Sequence, residues 1–296
     1  MKISAKTKIC MIVGDPVEHS LSPLMHNAGY EALDIDDQFV FTAAKVKPKD
    51  LKDVIKAVRA MNIRGLTCTI PHKIRVMKYL DEIDETAKKI VAVNTVVNNN
   101  GKLKGYNTDW LGVVKPLEKY GSLKGKKAAI IGAGGAAHAM VFGLLKKGAS
   151  VVIFNRTLEK AWHLIKTLKI KNGRSVSLVS CYDLSHIQGV EDCDIILNAT
   201  SLGMGKNVNK TPVPKKYLKK DHIVFDAVYV PYETRLLKEA KEKGARIIHG
   251  TEMLLYQGIV QFELYTGKKA PVKVMREILV ESYKLPASTA GRRVTS

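Results

Sequence analysis

Lys126-Lys127-Ala128-Ala129-Ile130-Ile131-Gly132-Ala133-Gly134-Gly135-Ala136-Ala137 decides how this chain of 296 residues is read. A short apolar run ends in Gly-x-Gly-x-x-Ala and passes straight into Met140-Val141-Phe142-Gly143-Leu144-Leu145, the pattern of strand, tight turn and helix. In a dinucleotide-binding turn of this type Gly132 permits the sharp bend, Gly134 keeps a side chain off a pyrophosphate, and Ala137 lets helix and strand pack closely. The helix then points its unpaired first N–H groups at the phosphates. Glycine-rich turns also join strands to helices for packing alone. Here, however, Val151-Val152-Ile153-Phe154 follows at a helix's distance and completes a β-α-β unit, which favours the nucleotide reading.

The residues that end this second strand choose the cofactor. An NAD site usually carries Asp or Glu there, to hydrogen-bond the ribose 2′-hydroxyl. This chain has Asn155-Arg156-Thr157, with no carboxylate to repel a 2′-phosphate and a guanidinium and hydroxyl able to bind one. NADP(H) is therefore expected rather than NAD(H).

The length suggests two domains, and 46% apolar residues can fill two cores. No apolar run is long enough to span a membrane and the basic N-terminus lacks a signal-peptide core, so a cytoplasmic protein is expected. Cys10, Cys68, Cys181 and Cys193 are scattered, which points to buried thiols and to no metal site. The formal charge of +20, from 48 Lys and Arg against 28 Asp and Glu, would attract any polyanion. The lysines are spread along the chain without interleaved aromatics, so nucleic acid is not the favoured partner and faster capture of anionic ligands is.

Toward the N-terminus, residues 8 to 13 read as a buried strand broken by Gly14-Asp15-Pro16. Ser20 and Ser22 then place two hydroxyls just before Pro23, which can open a helix. They either hold a carboxylate or form a cap and a turn. A helical period runs through Leu51, Val54, Ile55, Val58 and Met61. A short strand follows from Arg64 and ends at Pro71, gathering Thr67, Thr69 and Lys73 at a strand end, where open α/β folds place ligands. Ile90 to Val97 reads as another strand, turning through Asn98-Asn99-Asn100-Gly101 into Leu103 to Trp110. Asn94, Asn107 and Asp109 are then core hydrogen-bonding residues or part of a site, and Asp109 can also cap the next helix.

Beyond the nucleotide unit, residues 193–200, 222–229 and 245–250 read as further strands of the same sheet, their following loops lying over its cofactor crevice. A helix from Thr251 to Leu264 carries an inward-capable Gln257, a second runs from about Val272 to Lys284, and residues 286–296 read as a disordered tail.

Taken in order, these runs resemble the shikimate dehydrogenase family: Gly14-Asp15-Pro16, His19 to Pro23 and His26-Asn27; Thr69-Ile70-Pro71-His72-Lys73; Ala92 to Thr95; Asn107-Thr108-Asp109; Gly132 to Ala137; Asn155-Arg156-Thr157; Asn198 to Ser201; Asp226 with Tyr229, Pro231 and Thr234; and Gly250, Met253-Leu254 and Gln257-Gly258. The resemblance implies NADPH-dependent reduction of 3-dehydroshikimate to shikimate, on the way to chorismate and the aromatic amino acids. It implies an α/β fold of two domains. A substrate-binding domain, residues 1–110, would be completed by helices of 251–285, and a doubly wound Rossmann-like NADP domain would take 111–250. By position Lys73 and Asp109 match the catalytic pair, and Ser20, Ser22, Thr69, Asn94, Asp109, Tyr229 and Gln257 match substrate contacts. Gly132, Ala133, Gly134, Gly135, Ala136, Asn155, Arg156 and Thr157 match the NADP site, with Thr200, Ser201, Met204, Ala227, Gly250 and Met253 around it. Thr67 stands where an Asn touching a substrate hydroxyl is usual, Cys68 where Val is common, and Tyr265 replaces a frequent Trp. The shorter Thr67 hydroxyl keeps quinate open as an alternative substrate. The partner implied is a small molecule, with the protein a monomer or homodimer.

Overall fold

A computed structural model describes residues 3–168 and 178–283, so the tail 286–296 lies outside the described residues. The chain divides into two compact units. One takes the residues up to Glu82, Asn94–Gly105 and those from Gly258 on; the other takes Ile83–Val93 and Tyr106–Gln257. The fold is α/β, with a six-stranded sheet in each unit.

In the first unit, strands β1 (Lys8–Gly14), β2 (Phe39–Lys45), β3 (Gly65–Cys68), β4 (Glu82–Ile83), β5 (Thr95–Asn99) and β6 (Lys102–Tyr106) lie in the order β2-β1-β3-β5-β6-β4. β1 pairs parallel with β2 and β3, while β5 runs antiparallel to β3 and places Thr95 opposite Thr67. Helix α1 (Ser22–Glu31) is tied to β2 by Asn27, whose amide donates to the Phe41 carbonyl at 2.9 Å and accepts from the Phe41 N–H at 2.8 Å. The amphipathic helix α2 (Leu51–Ala60) buries Leu51, Ile55 and Val58. The turn at Asn100 and Gly101 takes φ of 52° and 89°, the left-handed pair that a tight hairpin requires.

The expected strand over Ile90 to Val97 is shorter. Helix α3 (Glu85–Ile90) occupies its beginning, capped by the Asp84 carboxylate, and Val91 closes that helix at φ 58°. Pairing begins only at Thr95. Residues 83–93, read with the first domain from sequence, belong to the second unit. The reason is packing: Ile90 and Ala92 bury against Ala139, His138 Nδ1 lies 3.1 Å from the Ile90 carbonyl, and the Asn107 amide donates to the Ala92 carbonyl at 2.9 Å. Asn107 is thus a core hydrogen-bonding residue.

In the second unit, β7 (Lys127–Ile131), β8 (Ser150–Phe154), β9 (Val179–Tyr182), β10 (Ile195–Asn198), β11 (Ile223–Asp226) and β12 (Arg246–Ile248) form a parallel sheet in the order β12-β11-β10-β7-β8-β9. This is the doubly wound order, and the topology switches between β7 and β10. Ala128 and Ile130 join one core with Met140, Val141 and Leu144 of α5 (Gly135–Lys146) and Ala161 and Leu164 of α6 (Leu158–Thr167). Ala129 and Ile131 face the other, with Leu236, Leu237 and Ala240 of α7 (Arg235–Glu242). Burial on both faces explains why these strands read as unbroken apolar runs. Helices α4 (Asp109–Glu118), α8 (Gly250–Thr266) and α9 (Val272–Glu281) complete the helical set, and the division between units falls inside α8. Among the described residues no helix is long and apolar enough to cross a membrane. All four cysteines are thiols; Cys181 is only half-buried, and burial pushes Cys10 and Cys68 up to about 12.

Candidate active site

The first unit gathers Ser20, Ser22, Thr67, Thr69, Lys73 and Asn94 around the ends of β1 and β3. Thr69 follows β3, its N–H donating to the Val13 carbonyl at 3.0 Å. A Cβ on Gly14 would stand 2.3 Å from the Thr69 methyl carbon, so only glycine lets the Thr69 side chain lie across the end of β1. His72 is buried, donates its N–H to the Thr69 carbonyl at 2.8 Å and sets Nε2 2.8 Å from the Val46 carbonyl. That turn presents half-buried Lys73 just beyond it.

Ser20 and Ser22 turn out not to cap α1. The cap residue is Leu21 with no side-chain cap bond, and the Ser22 N–H donates to Ser20 Oγ at 3.3 Å. The turn part of that alternative holds and the capping part does not, which leaves the hydroxyl protons uncommitted to the helix. Lys45 steadies the preceding loop through Glu18 at 3.1 Å and Asp15 at 3.6 Å. Backbone N–H groups and the Lys45 ammonium hold the Glu18 carboxyl down at about 2.

Two of the three positions that depart from the family pattern touch each other. Thr67 Oγ1 lies 3.0 Å from the Tyr265 hydroxyl, both residues buried, and burial drives the phenol well above its usual range so that it stays protonated. A Cβ at Gly65 would stand 2.5 Å from the Tyr265 ring, so that glycine makes the room. Part of the hydrogen-bonding capacity of Thr67 is therefore already taken.

The other candidates lie in the second unit. Asp109 is buried as the first residue of α4; the cap position is Thr108, not Asp109 as the sequence allowed. Gln257 is buried and donates to the Leu254 carbonyl at 2.9 Å. Tyr229 is half-buried in the loop after β11.

The glycine turn sits where the sheet switches. Gly132 takes φ 112°, and a Cβ there would stand 3.0 Å from Thr200 and 3.2 Å from the Ala199 carbonyl carbon, a close approach of the loops after β7 and β10. Gly134 is the opposite case, exposed with open space where a Cβ would stand. As the cap residue of α5 it makes no side-chain cap bond, so the helix start around Gly135 and Ala136, with half-buried Ala133 before it, fits a phosphate. After β8, the Asn155 amide donates to the Thr157 carbonyl at 2.7 Å and shapes the loop, while exposed Arg156 makes no ion pair among the described residues. Ser201 and Met204 are exposed. Gly250 presses on the strand end, since a Cβ there would stand 2.5 Å from the Val228 carbonyl oxygen and 2.8 Å from that of Ala227. Met253 is buried in the core against Gly112, which gives it a packing environment.

Sequence reading named Asp226 among the matching residues but gave it no role, and it is the group that holds these loops. The buried Asp226 carboxylate accepts from the Asn198 amide at 2.9 Å, the Val228 N–H at 2.9 Å and the Thr234 hydroxyl at 2.6 Å. Asn198 in turn accepts from the Thr200 N–H at 2.9 Å and hydroxyl at 2.7 Å and donates to the Leu202 carbonyl at 3.1 Å. Burial raises Asp226 to about 6 against the opposing pull of its three donors. The folded value lies above the unfolded one. The group's stabilisation is therefore complete below about pH 4 and lost as pH rises through about 6, a loss on the order of 3 kcal/mol. Urea unfolding of wild type and Asp226→Asn between pH 4.5 and 7 should show the difference between them changing in wild type's disfavour as pH rises; parallel profiles would contradict the assignment.

Comparison with known proteins bears on these two groups of residues. The model of the shikimate dehydrogenase substrate binding domain matches residues 12–96, that of the shikimate / quinate 5-dehydrogenase family matches 116–234, and that of the shikimate 5'-dehydrogenase C-terminal domain matches 250–280. The shikimate dehydrogenase (NADP(+)) of Moorella thermoacetica is 42% identical over 293 residues, 98% of each chain. A crystal structure of a shikimate dehydrogenase in complex with NADP+ superposes with a TM-score of 0.88 at 43% identity, covering 95% of this chain and 97% of that one. The shikimate 5-dehydrogenase of Listeria monocytogenes, in complex with shikimate and NAD, gives 0.84 at 36% identity, covering 94% and 98%.

Proposed function

The chain belongs to the shikimate dehydrogenase family, and from that premise we propose how its residues carry the reaction. It is an NADP(H)-dependent oxidoreductase that reversibly reduces 3-dehydroshikimate to shikimate in the route to chorismate and the aromatic amino acids. The observation that carries the reading is the sheet's switch between β7 and β10, with Gly134 open beside it, on a chain that aligns over 98% of its length with an NADP(+) enzyme.

Gly132 to Ala136 and the start of α5 hold the pyrophosphate, and Arg156 and Thr157 hold the 2′-phosphate, with Thr200, Ser201, Met204, Ala227, Gly250 and Met253 around the rest. When bound, the cofactor supplies or accepts the hydride. Lys73 Nζ gives a proton to the oxygen of the carbonyl being reduced and its ammonium offsets the charge that develops there. In the reverse direction the same amine takes the hydroxyl proton. Asp109 is the second member of the catalytic pair and binds a substrate hydroxyl. Ser20 and Ser22 hold the substrate carboxylate, Asn94 and Gln257 hold its hydroxyls, and Thr67, Thr69 and Tyr229 are further substrate contacts. The protein works in the cytoplasm as a monomer or homodimer, and its +20 charge favours capture of an anionic substrate and a phosphorylated cofactor rather than nucleic acid.

Reduction of NADP+, followed at the nicotinamide absorbance, should be fastest with shikimate, and kcat/KM should fall with quinate and with NAD+. A second reading, a quinate/shikimate dehydrogenase, is favoured by the engagement of Thr67 with Tyr265. Equal or higher kcat/KM with quinate would establish it in place of the first.

A further inference from the structure

Helix α8 carries Gln257, Gln261 and Tyr265 at successive spacings of four, along one face. Gln261 is fully buried in an otherwise apolar stretch, where an amide costs stability unless it is hydrogen-bonded. Its Nε2 donates to Thr95 Oγ1 at 3.0 Å, and Thr95 Oγ1 donates to Asn94 Oδ1 at 2.8 Å. A hydroxyl has one proton. Because Thr95 gives that proton to Asn94, it receives from Gln261, and the chain runs one way from amide to hydroxyl to carboxamide oxygen.

The buried Oε1 of Gln261 lies beside the His26 imidazole, a weak hydrogen-bonding contact that favours the ring's protonated form. His26 lies flat on Phe41, ring centroids 4.3 Å apart, and burial drives that imidazole down to about 3, so it is neutral. The Gln261 N–H is thus the start of a relay that reaches Asn94 through Thr95.

We propose that Gln261 is a positioning residue of the substrate site: through Thr95 it holds the Asn94 carboxamide oxygen, and so fixes the NH2 as the end that Asn94 directs to a substrate hydroxyl. The proposal rests on the reading of Asn94 as a substrate contact. An amide turned the other way would present its oxygen, which cannot donate.

The experiment compares steady-state kinetics of Gln261→Met, Thr95→Val, Thr95→Ser, the Gln261→Met/Thr95→Val pair and Asn94→Ala. Gln261→Met should raise KM for shikimate about five- to tenfold, the effect of one lost orienting hydrogen bond, with little change in kcat. Its KM for NADP+ should not change. Thr95→Val should match it, Thr95→Ser should restore near-wild-type KM, and the double variant should be no worse than either single one. An unchanged KM in both Gln261→Met and Thr95→Val, alongside a raised KM in Asn94→Ala, would overturn the relay alone. An unchanged KM in Asn94→Ala would overturn the substrate reading beneath it. Should Gln261→Met fold poorly, the contrast between Thr95→Val and Thr95→Ser decides by itself.

Discussion

Lys73→Ala will lower kcat for shikimate oxidation by about 10²- to 10⁴-fold, the range associated with loss of a positioned acid–base group, while KM for shikimate stays near wild type. The expectation of a kcat effect follows from the placement of the residue. Lys73 leaves a turn fixed by backbone and by neighbours: the His72 N–H on the Thr69 carbonyl, His72 Nε2 on the Val46 carbonyl, and Thr69 laid over Gly14. None of these uses the lysine side chain, so truncating it should leave the turn and the hydroxyls around it in place. What goes is the proton and the positive charge at the reacting oxygen, which matter more in the transition state than in the bound substrate. Steady-state rates in both directions check this, with Tm as a control for folding. Turnover within a few-fold of wild type would remove Lys73 from the chemical step and leave Asp109 as the group to test next.

The residues that define the nucleotide unit were legible because they obey backbone rules that apply before any tertiary contact. Gly132 needs φ 112°, Gly134 needs open space, and strands buried on both faces must be apolar throughout. The segment from Ile90 to Val93 was misread for the converse reason. A short apolar run fits the end of a helix as well as a strand, and its decisive feature is a β-branched residue, Val91, in the left-handed region. Nothing in a valine signals that conformation; the burial of Ile90, Ala92 and Val93 around it holds it there. The role of Asp226, which was named only as a matching residue, and that of Gln261 escaped notice differently. Each acts on a candidate residue through a third group, Asp226 through Asn198 on Thr200 and Gln261 through Thr95 on Asn94. Such pairings join positions far apart in sequence. The one available hint was local: Gln261 stands four residues beyond Gln257, polar on the same helix face.

Arg156→Ala will raise KM for NADP+ by about 10- to 100-fold, the equivalent of one or two lost charge-assisted hydrogen bonds, and will leave KM for NAD+ nearly unchanged. The loop supports so selective an effect because it does not depend on the arginine. Asn155 shapes it from within, its amide on the Thr157 carbonyl and its N–H on the Tyr182 carbonyl at 3.1 Å. Thr157 starts α6 without a side-chain cap bond, which leaves its hydroxyl and the helix's first N–H groups able to bind a phosphate. Arg156 is exposed, and its removal exposes no core and breaks no ion pair among the described residues. Placing a carboxylate here should go further. Arg156→Glu would repel the 2′-phosphate as well as fail to bind it, and the ratio of kcat/KM for NADP+ over NAD+ should then fall below that of Arg156→Ala. High salt should narrow the difference between the two variants, because the repulsive part is a charge interaction at an exposed position. If both variants kept the wild-type ratio, discrimination would lie with Thr157 and the start of α6, and Arg156 would have no part in choosing the cofactor.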